Sequence, residues 1–83
     1  MSRFEILQHI ETTLASATGK PVSVTEESNL IADEIIDSLE AVRFIFELEK
    51  AVGVRLPDGD LDDRGLFKVS SLITYIEEHK GHA

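Results

Sequence analysis

The stretch Glu34-Ile35-Ile36-Asp37-Ser38-Leu39-Glu40 lies near the middle of the chain and marks the start of its central helix. Asp37 reads as the N-cap, since a carboxylate just ahead of a helix accepts hydrogen bonds from its first free N–H groups. Glu40, three residues on, completes a capping box by reaching back to the Asp37 N–H. From there Leu39, Val42, Ile45, Phe46, Leu48 and Val52 recur at helical spacing, and Gly53 supplies the left-handed stop. Ser38 therefore falls on the first helical position. Its hydroxyl is expected to point outward at the positive end of a helix dipole, where a phosphate is stabilised.

Working outward, 83 residues make a single domain over 1–83, near the lower limit of what folds without staples. A content of 42% hydrophobic and 29% charged residues fits a globular domain rather than a disordered one. With no cysteine, disulfides and thiolate metal sites are excluded. No apolar run approaches the ~20 residues of a membrane span, and the N-terminal residues lack the apolar core of a signal peptide. The cytoplasm is the expected compartment and a monomer the expected state. Eight basic against sixteen acidic residues give a formal charge of −8. Such a chain repels nucleic acid and anionic membrane surfaces and suits partners with a basic patch. Charge of this sign also simply keeps small domains in solution, so by itself it identifies no partner.

Ser2 and Glu5 form another capping box, opening a helix that runs to about Ala17. Phe4, Leu7, Ile10 and Leu14 form its stripe, widened by Ile6 and Ala17, and Gly19 with Pro21 ends it. Lys20 to Asp37 has no sustained period. Val22, Val24, Leu30 and Ile31 are its expected anchors, around polar turn material at Thr25 to Asn29. So long a loop in so small a domain is either functional or tied down by those apolar residues. After the central helix, Val54-Arg55-Leu56-Pro57 reads as an extended connector pinned by Val54 and Leu56. Leu61, Leu66 and Phe67 are expected to plug a short third helix into the core. Val69, Leu72, Ile73 and Ile76 mark a last helix that frays after Glu78. The result is an all-α bundle of three main helices and one short one.

Several chemistries fail on spacing. Asp58, Asp60 and Asp62 match the opening of a calcium-binding loop, but Asp63 and Val69 stand where glycine and glutamate are required. Starting the count at Asp60 restores Gly65 but puts Arg64 and Ser71 at ligand positions. His9, His79 and His82 are the only imidazoles, and the last two share a tail with no third ligand except Glu78, so no metal site is assigned. A hydrolase at Ser38 needs an oriented base, and His9 sits mid-helix with no glycine-rich nucleophile elbow anywhere. No catalytic residue is assigned and the chain is read as not an enzyme.

Asp-Ser-Leu alone occurs by chance in many proteins. Here it combines with a small acidic all-α domain, a long preceding loop and a Gly53-Val54-Arg55-Leu56-Pro57 connector at a fixed distance. Together these resemble the phosphopantetheine-dependent carrier proteins, the acyl, aminoacyl and peptidyl carriers. The likeness covers essentially the whole chain. It is best from Ile36 to Pro57, including the Leu48-Glu49 pair, and returns at Val69 and Ile73-Thr74-Tyr75-Ile76. The resemblance implies an acyl-carrier-protein-like four-helix bundle. It also implies that Ser38 is esterified by 4′-phosphopantetheine from coenzyme A, with cargo carried as a thioester on the arm's thiol. The implied partners are a phosphopantetheinyl transferase, an adenylating ligase or acyltransferase that loads the arm, and condensing or tailoring enzymes that unload it.

Departures from the pattern narrow the subtype. Carriers of fatty acid synthesis usually have glycine three residues before the serine, where this chain has Ile35. The Ile35-Ile36 pair is closer to D-alanyl carriers and free-standing carriers of specialised metabolism. Those often have glycine just ahead of the pair, where Glu34 stands. In fatty acid carriers the second helix is strongly acidic and docks on basic enzyme patches. Asp37, Glu40 and Glu49 keep that character, while Arg43 and Lys50 stand at positions usually acidic, which disfavours some partners. Alternatively, Glu47 with Lys50, or Arg43 with Glu40 or Glu47, are ordinary surface pairs worth a few tenths of a kcal/mol. Leu39, Val42 and Phe46 are expected at the apolar centre of a docking face, and the competing assignment buries some of them, Phe46 being the least determined. The expected function is a discrete carrier of acyl or aminoacyl intermediates in a specialised polyketide, nonribosomal-peptide or aminoacyl-transfer pathway. One alternative is a fatty acid synthesis carrier. The alternative of another class is a small helical interaction domain with no prosthetic group.

Overall fold

Helix α1, Arg3–Thr18, starts at the box expected of Ser2 and Glu5 and stops at Gly19, whose φ of 78° is the left-handed conformation glycine adopts without strain. The computed structural model describes residues 1–57, 61 and 64–80. Its buried face is Ile6, Ile10, Thr13 and Leu14, with Leu7 and Ala17 half-buried at its margins. Phe4 departs from the expected stripe: it is 67% exposed. The reason is angular. At about 100° per residue, Phe4 lies roughly 160° around the helix from Ile6, so the Ile6–Ile10–Leu14 row excludes it from the core. Thr13 joins the core because its hydroxyl donates to the His9 carbonyl at 2.7 Å, leaving its methyl free to pack.

Helix α2, Ser38–Val52, is capped at both ends as expected. It buries Ala41, Phe44, Ile45, Leu48 and Val52. Helix α3, Val69–Lys80, buries Val69, Leu72, Ile73 and Ile76. Helix α1 packs against both α2 and α3. The three share one core with Val24, Leu30, Ile36, Val54 and Leu56 from the connections. Among the described residues there are three helices and no strand beyond an isolated bridge, Asn29 with Lys68. Asp58, Asp60, Asp62 and Asp63 lie outside the described residues, and where a short third helix is expected around Leu61, Leu66 and Phe67 the described residues, 61 and 64–67, form no helix. The described part near it makes turns, closed by Leu66 N–H to the Leu61 carbonyl at 2.8 Å, with Leu66 buried and Leu61 and Phe67 half-buried.

The long connection from α1 to α2 is tied down by backbone pairing as well as by apolar anchors. Leu30 N–H donates to the Phe67 carbonyl at 2.8 Å, and Val69 and Ser70 N–H donate to the Ser28 and Glu26 carbonyls at 2.9 Å each. Val24 and Leu30 are buried, while Val22 and Ile31 are half-buried at the edge of the core. A helical turn forms at Asn29–Asp33. The Asn29 side chain accepts from Ile31 and Ala32 N–H, and Asp33 reaches back to Asn29 N–H. No helix among the described residues is long and apolar enough to cross a membrane.

Candidate functional site at the start of the central helix

The entry to α2 is built from the loop inward. Ile36 is 3% exposed and anchors the chain, and the Leu30 carbonyl accepts from both Ile35 and Ile36 N–H at 3.1 and 3.0 Å. To make this reversal, Glu34 takes φ of 58°, a left-handed conformation that costs a residue with a Cβ about 1 kcal/mol or more. The following residue pair is thereby aimed so that Ile36 goes in and Asp37 comes out.

Asp37 is extended, at φ −94° and ψ −178°, and caps the helix. Its Oδ1 accepts from Glu40 N–H at 2.8 Å, while Glu40 Oε1 accepts from Asp37 N–H at 3.0 Å. Ala41 N–H is taken by the Asp37 carbonyl at 2.9 Å. The box thus satisfies two of the first four helical N–H groups and leaves those of Ser38 and Leu39 outside the helix ladder. Ser38 itself is exposed.

A serine hydroxyl at the first position of a helix, open to solvent and flanked by free N–H groups, suits an esterified phosphate. The nearby carboxylates of Asp37 and Glu40 oppose it. A dipole worth about 0.3–1 kcal/mol does not overcome two like charges by much. A phosphate group therefore fits here as a covalent ester, which needs only space and an exposed oxygen, and not as a dissociable ligand. His79 is stacked on Tyr75 at 3.8 Å, with Nδ1 against the Tyr75 carbonyl, on the last helix. His82 lies outside the described residues. Among the described residues no group of three His, Asp or Glu could hold a metal ion.

Beyond Ser38, α2 presents an apolar row to solvent. Leu39 is 81%, Val42 71% and Phe46 59% exposed, so all three side chains lie outside the core, Phe46 included. Arg43 pairs with Glu47 at 3.0 Å, and Glu47 also accepts from the Ser16 hydroxyl of α1 at 2.9 Å. The Ser16 hydroxyl, then the Arg43 guanidinium, holds the Glu47 carboxyl below the usual carboxylate range. Lys50 is not paired with Glu47; its ammonium lies 4.3 Å from the centre of the Phe46 ring. Glu40 is occupied in the capping box, and Glu49 is half-buried, accepting from Leu56 N–H at 2.6 Å. Sequence spacing carried no sign of that last contact, because it joins a helix to an irregular connector.

An exposed serine thus opens the central helix of a small three-helix core, and the class of protein is settled by comparison with known chains. The chain matches the family model described as "Phosphopantetheine attachment site" over residues 8–76, and it belongs to that family. Among curated relatives it is 37% identical to an acyl carrier protein of Rubrobacter xylanophilus, over 96% of this chain and 98% of that protein. It is 35% identical to an acyl carrier protein of Thermotoga maritima, with the same shares covered. It is 36% identical to a meromycolate extension acyl carrier protein of Mycobacterium leprae, over 89% of this chain and 64% of that protein. The fold is the all-α acyl-carrier-like fold, the protein is a carrier, and its prosthetic group is a covalently attached 4′-phosphopantetheine.

Proposed function

We propose that Ser38 is the attachment point of the arm and that the chain is a carrier serving a specialised pathway of acyl or aminoacyl transfer. The single observation that carries the attachment is the exposed Ser38 hydroxyl at the first position of a helix capped by Asp37. In the loading step Ser38 Oγ becomes bonded to the phosphorus of the pantetheine phosphate as the pyrophosphate bond of coenzyme A breaks and adenosine 3′,5′-bisphosphate leaves. The hydroxyl proton passes to a base of the phosphopantetheinyl transferase, since the Asp37 and Glu40 carboxylates are engaged in the capping box. Asp37 and Glu40 fix the helix start, so the oxygen is held at one position and the arm leaves toward solvent. When attached, 4′-phosphopantetheine supplies a flexible arm ending in the thiol that bears cargo as a thioester.

Leu39, Glu40, Val42, Arg43, Phe46 and Glu49 form the proposed recognition face, with the three exposed apolar residues at its centre. Support for a specialised pathway comes from Ile35 in place of a glycine, and from Arg43 and Lys50 on the face. A second reading, an acyl carrier of fatty acid synthesis, is favoured by the 37% identity to a full-length acyl carrier protein. Purified chain incubated with coenzyme A and a broad-specificity phosphopantetheinyl transferase should gain one adduct by intact mass, and Ser38→Ala none. Holo chain then offered malonyl-transferring enzyme or a set of adenylating ligases separates the readings. Loading by a ligase supports the specialised role, and loading by the malonyl transferase alone speaks against aminoacyl cargo and favours a malonyl-based pathway such as fatty acid synthesis.

A further inference from the structure

The charge around α2 is divided along its length. From Pro21 to Val42 the chain has six acidic residues, Glu26, Glu27, Asp33, Glu34, Asp37 and Glu40, and no basic one. Asp33, Glu34 and Asp37 are exposed beside the Ser38 end. From Arg43 to Pro57 the balance reverses. Of the two acids there, Glu47 is paired with Arg43 and Ser16, while the half-buried Glu49 accepts from Leu56 N–H and keeps its charge, outnumbered at the groove by Lys50 and Arg55. Among the described residues, Lys50 and Arg55 are exposed at the Gly53 end, and the half-buried Lys80 ammonium is held there by the Val52 carbonyl.

These two cations border an open groove of about 300 Å3 lined by Phe46, Glu49, Lys50, Gly53, Val54 and Arg55. Leu39, Val42, Phe46 and Lys50 fall on one row at helical spacing, so the groove continues the apolar face that starts beside Ser38. Phe46 forms one wall, and Lys50 lies over its ring at 4.3 Å. A uniformly basic docking patch on a partner would attract the Ser38 end and be repelled at this groove.

We infer that α2 docks on a partner enzyme whose carrier-binding patch is split in charge. Basic side chains meet the Asp33–Asp37 end, an apolar pocket takes Phe46, and an aspartate or glutamate meets Lys50 and Arg55 in the groove. This rests on the carrier reading above and names the partner chemistry of the same face. It orients the carrier: reversing it on the patch would set like charges against each other at both ends.

The test uses a phosphopantetheinyl transferase with a basic docking rim, together with a variant in which two rim cations opposite the Gly53 end are replaced by glutamate. Loading of the full chain, Lys50→Gln, and the double variant Lys50→Glu/Arg55→Glu is followed by kcat/KM at rising salt. With the basic rim, the double variant should load roughly 3- to 10-fold faster than the natural chain at low salt, with Lys50→Gln between, and the gap should close in about 0.5 M salt. With the glutamate rim the order should invert. Unchanged rates within about twofold, or the same order with both transferases, would overturn the split-charge patch while leaving the carrier reading intact. Absence of any adduct on every chain would overturn both.

Discussion

Glu34 occupies a backbone position made for glycine: at φ 58° its Cβ crowds the chain, yet the turn is required to bury Ile36 and expose Asp37. Glu34→Gly should therefore stabilise the fold by up to about 1 kcal/mol, less whatever the unfolded chain gains in freedom. The midpoint of urea unfolding reads this directly, and a loss of stability would mean that the Glu34 side chain contributes more than its backbone strain removes. One residue pair further on, Asp37→Ala removes the acceptor for Glu40 N–H, an N-cap loss of about 1 kcal/mol. Because the same box fixes the helix start, the variant should also be loaded more slowly than Asp37→Ser, which keeps a cap; equal rates would confine Asp37 to stability. At this scale the sequence was legible where chemistry is local. Both capping boxes and both glycine stops follow from residues within four positions of one another. The strain at Glu34 is different, for nothing in a glutamate announces a left-handed turn. The likeness to carriers with glycine there marked the position as a departure without indicating the backbone conformation.

Within α2, Phe44 and Phe46 are two residues apart and face opposite media, the first fully buried and the second 59% exposed. Phe44→Ala should destabilise the fold by about 3–5 kcal/mol through the cavity it leaves. Phe46→Ala should change stability by no more than about 0.5 kcal/mol and instead slow loading by the transferase. Thermal unfolding and loading rates on the two variants should thus dissociate; a large loss of stability in Phe46→Ala would put that ring in the core. The helical period alone marked α2 as carrying more apolar residues than one face can bury, but not which would be left out. Partition was decided by the neighbours, as the row Ile6, Ile10 and Leu14 of α1 shows by excluding Phe4. Contacts between distant segments were equally illegible. Lys80 Nζ donates to the Val52 carbonyl at 2.7 Å, placing a cation at the negative end of α2, and Glu49 holds the Leu56 N–H. Each joins a helix to a segment whose position only the assembled fold defines.

Across the whole molecule, Arg3 fastens three segments. Its guanidinium reaches Glu26 of the long loop and Glu77 of α3 at 2.6 Å each, and Thr74 at 3.1 Å. The hydrogen bond from Arg3 holds the Glu26 carboxyl below the usual carboxylate range, and the Ser2 N–H and hydroxyl do the same for Glu5. A carboxyl depressed in the folded state adds stability that is complete above its unfolded value and is lost as pH falls through its folded one. Acidification also relieves repulsion in a chain of charge −8, so the net profile mixes two opposing effects. A comparison of chains separates them. Glu26→Gln should unfold at lower temperature than the natural chain near neutral pH, and the gap should narrow progressively as pH falls below the ordinary carboxylate range. A gap that stays constant with pH would deny the Arg3–Glu26 pair its electrostatic share. All these features serve one arrangement, a rigid core that presents one hydroxyl and one helix face. The central claim is tested most directly by fragment mass mapping of the chain after loading from coenzyme A. The adduct is expected on Ser38 and on no other serine; an adduct on Ser2, Ser16, Ser23, Ser28, Ser70 or Ser71 instead, or none at all, would contradict it.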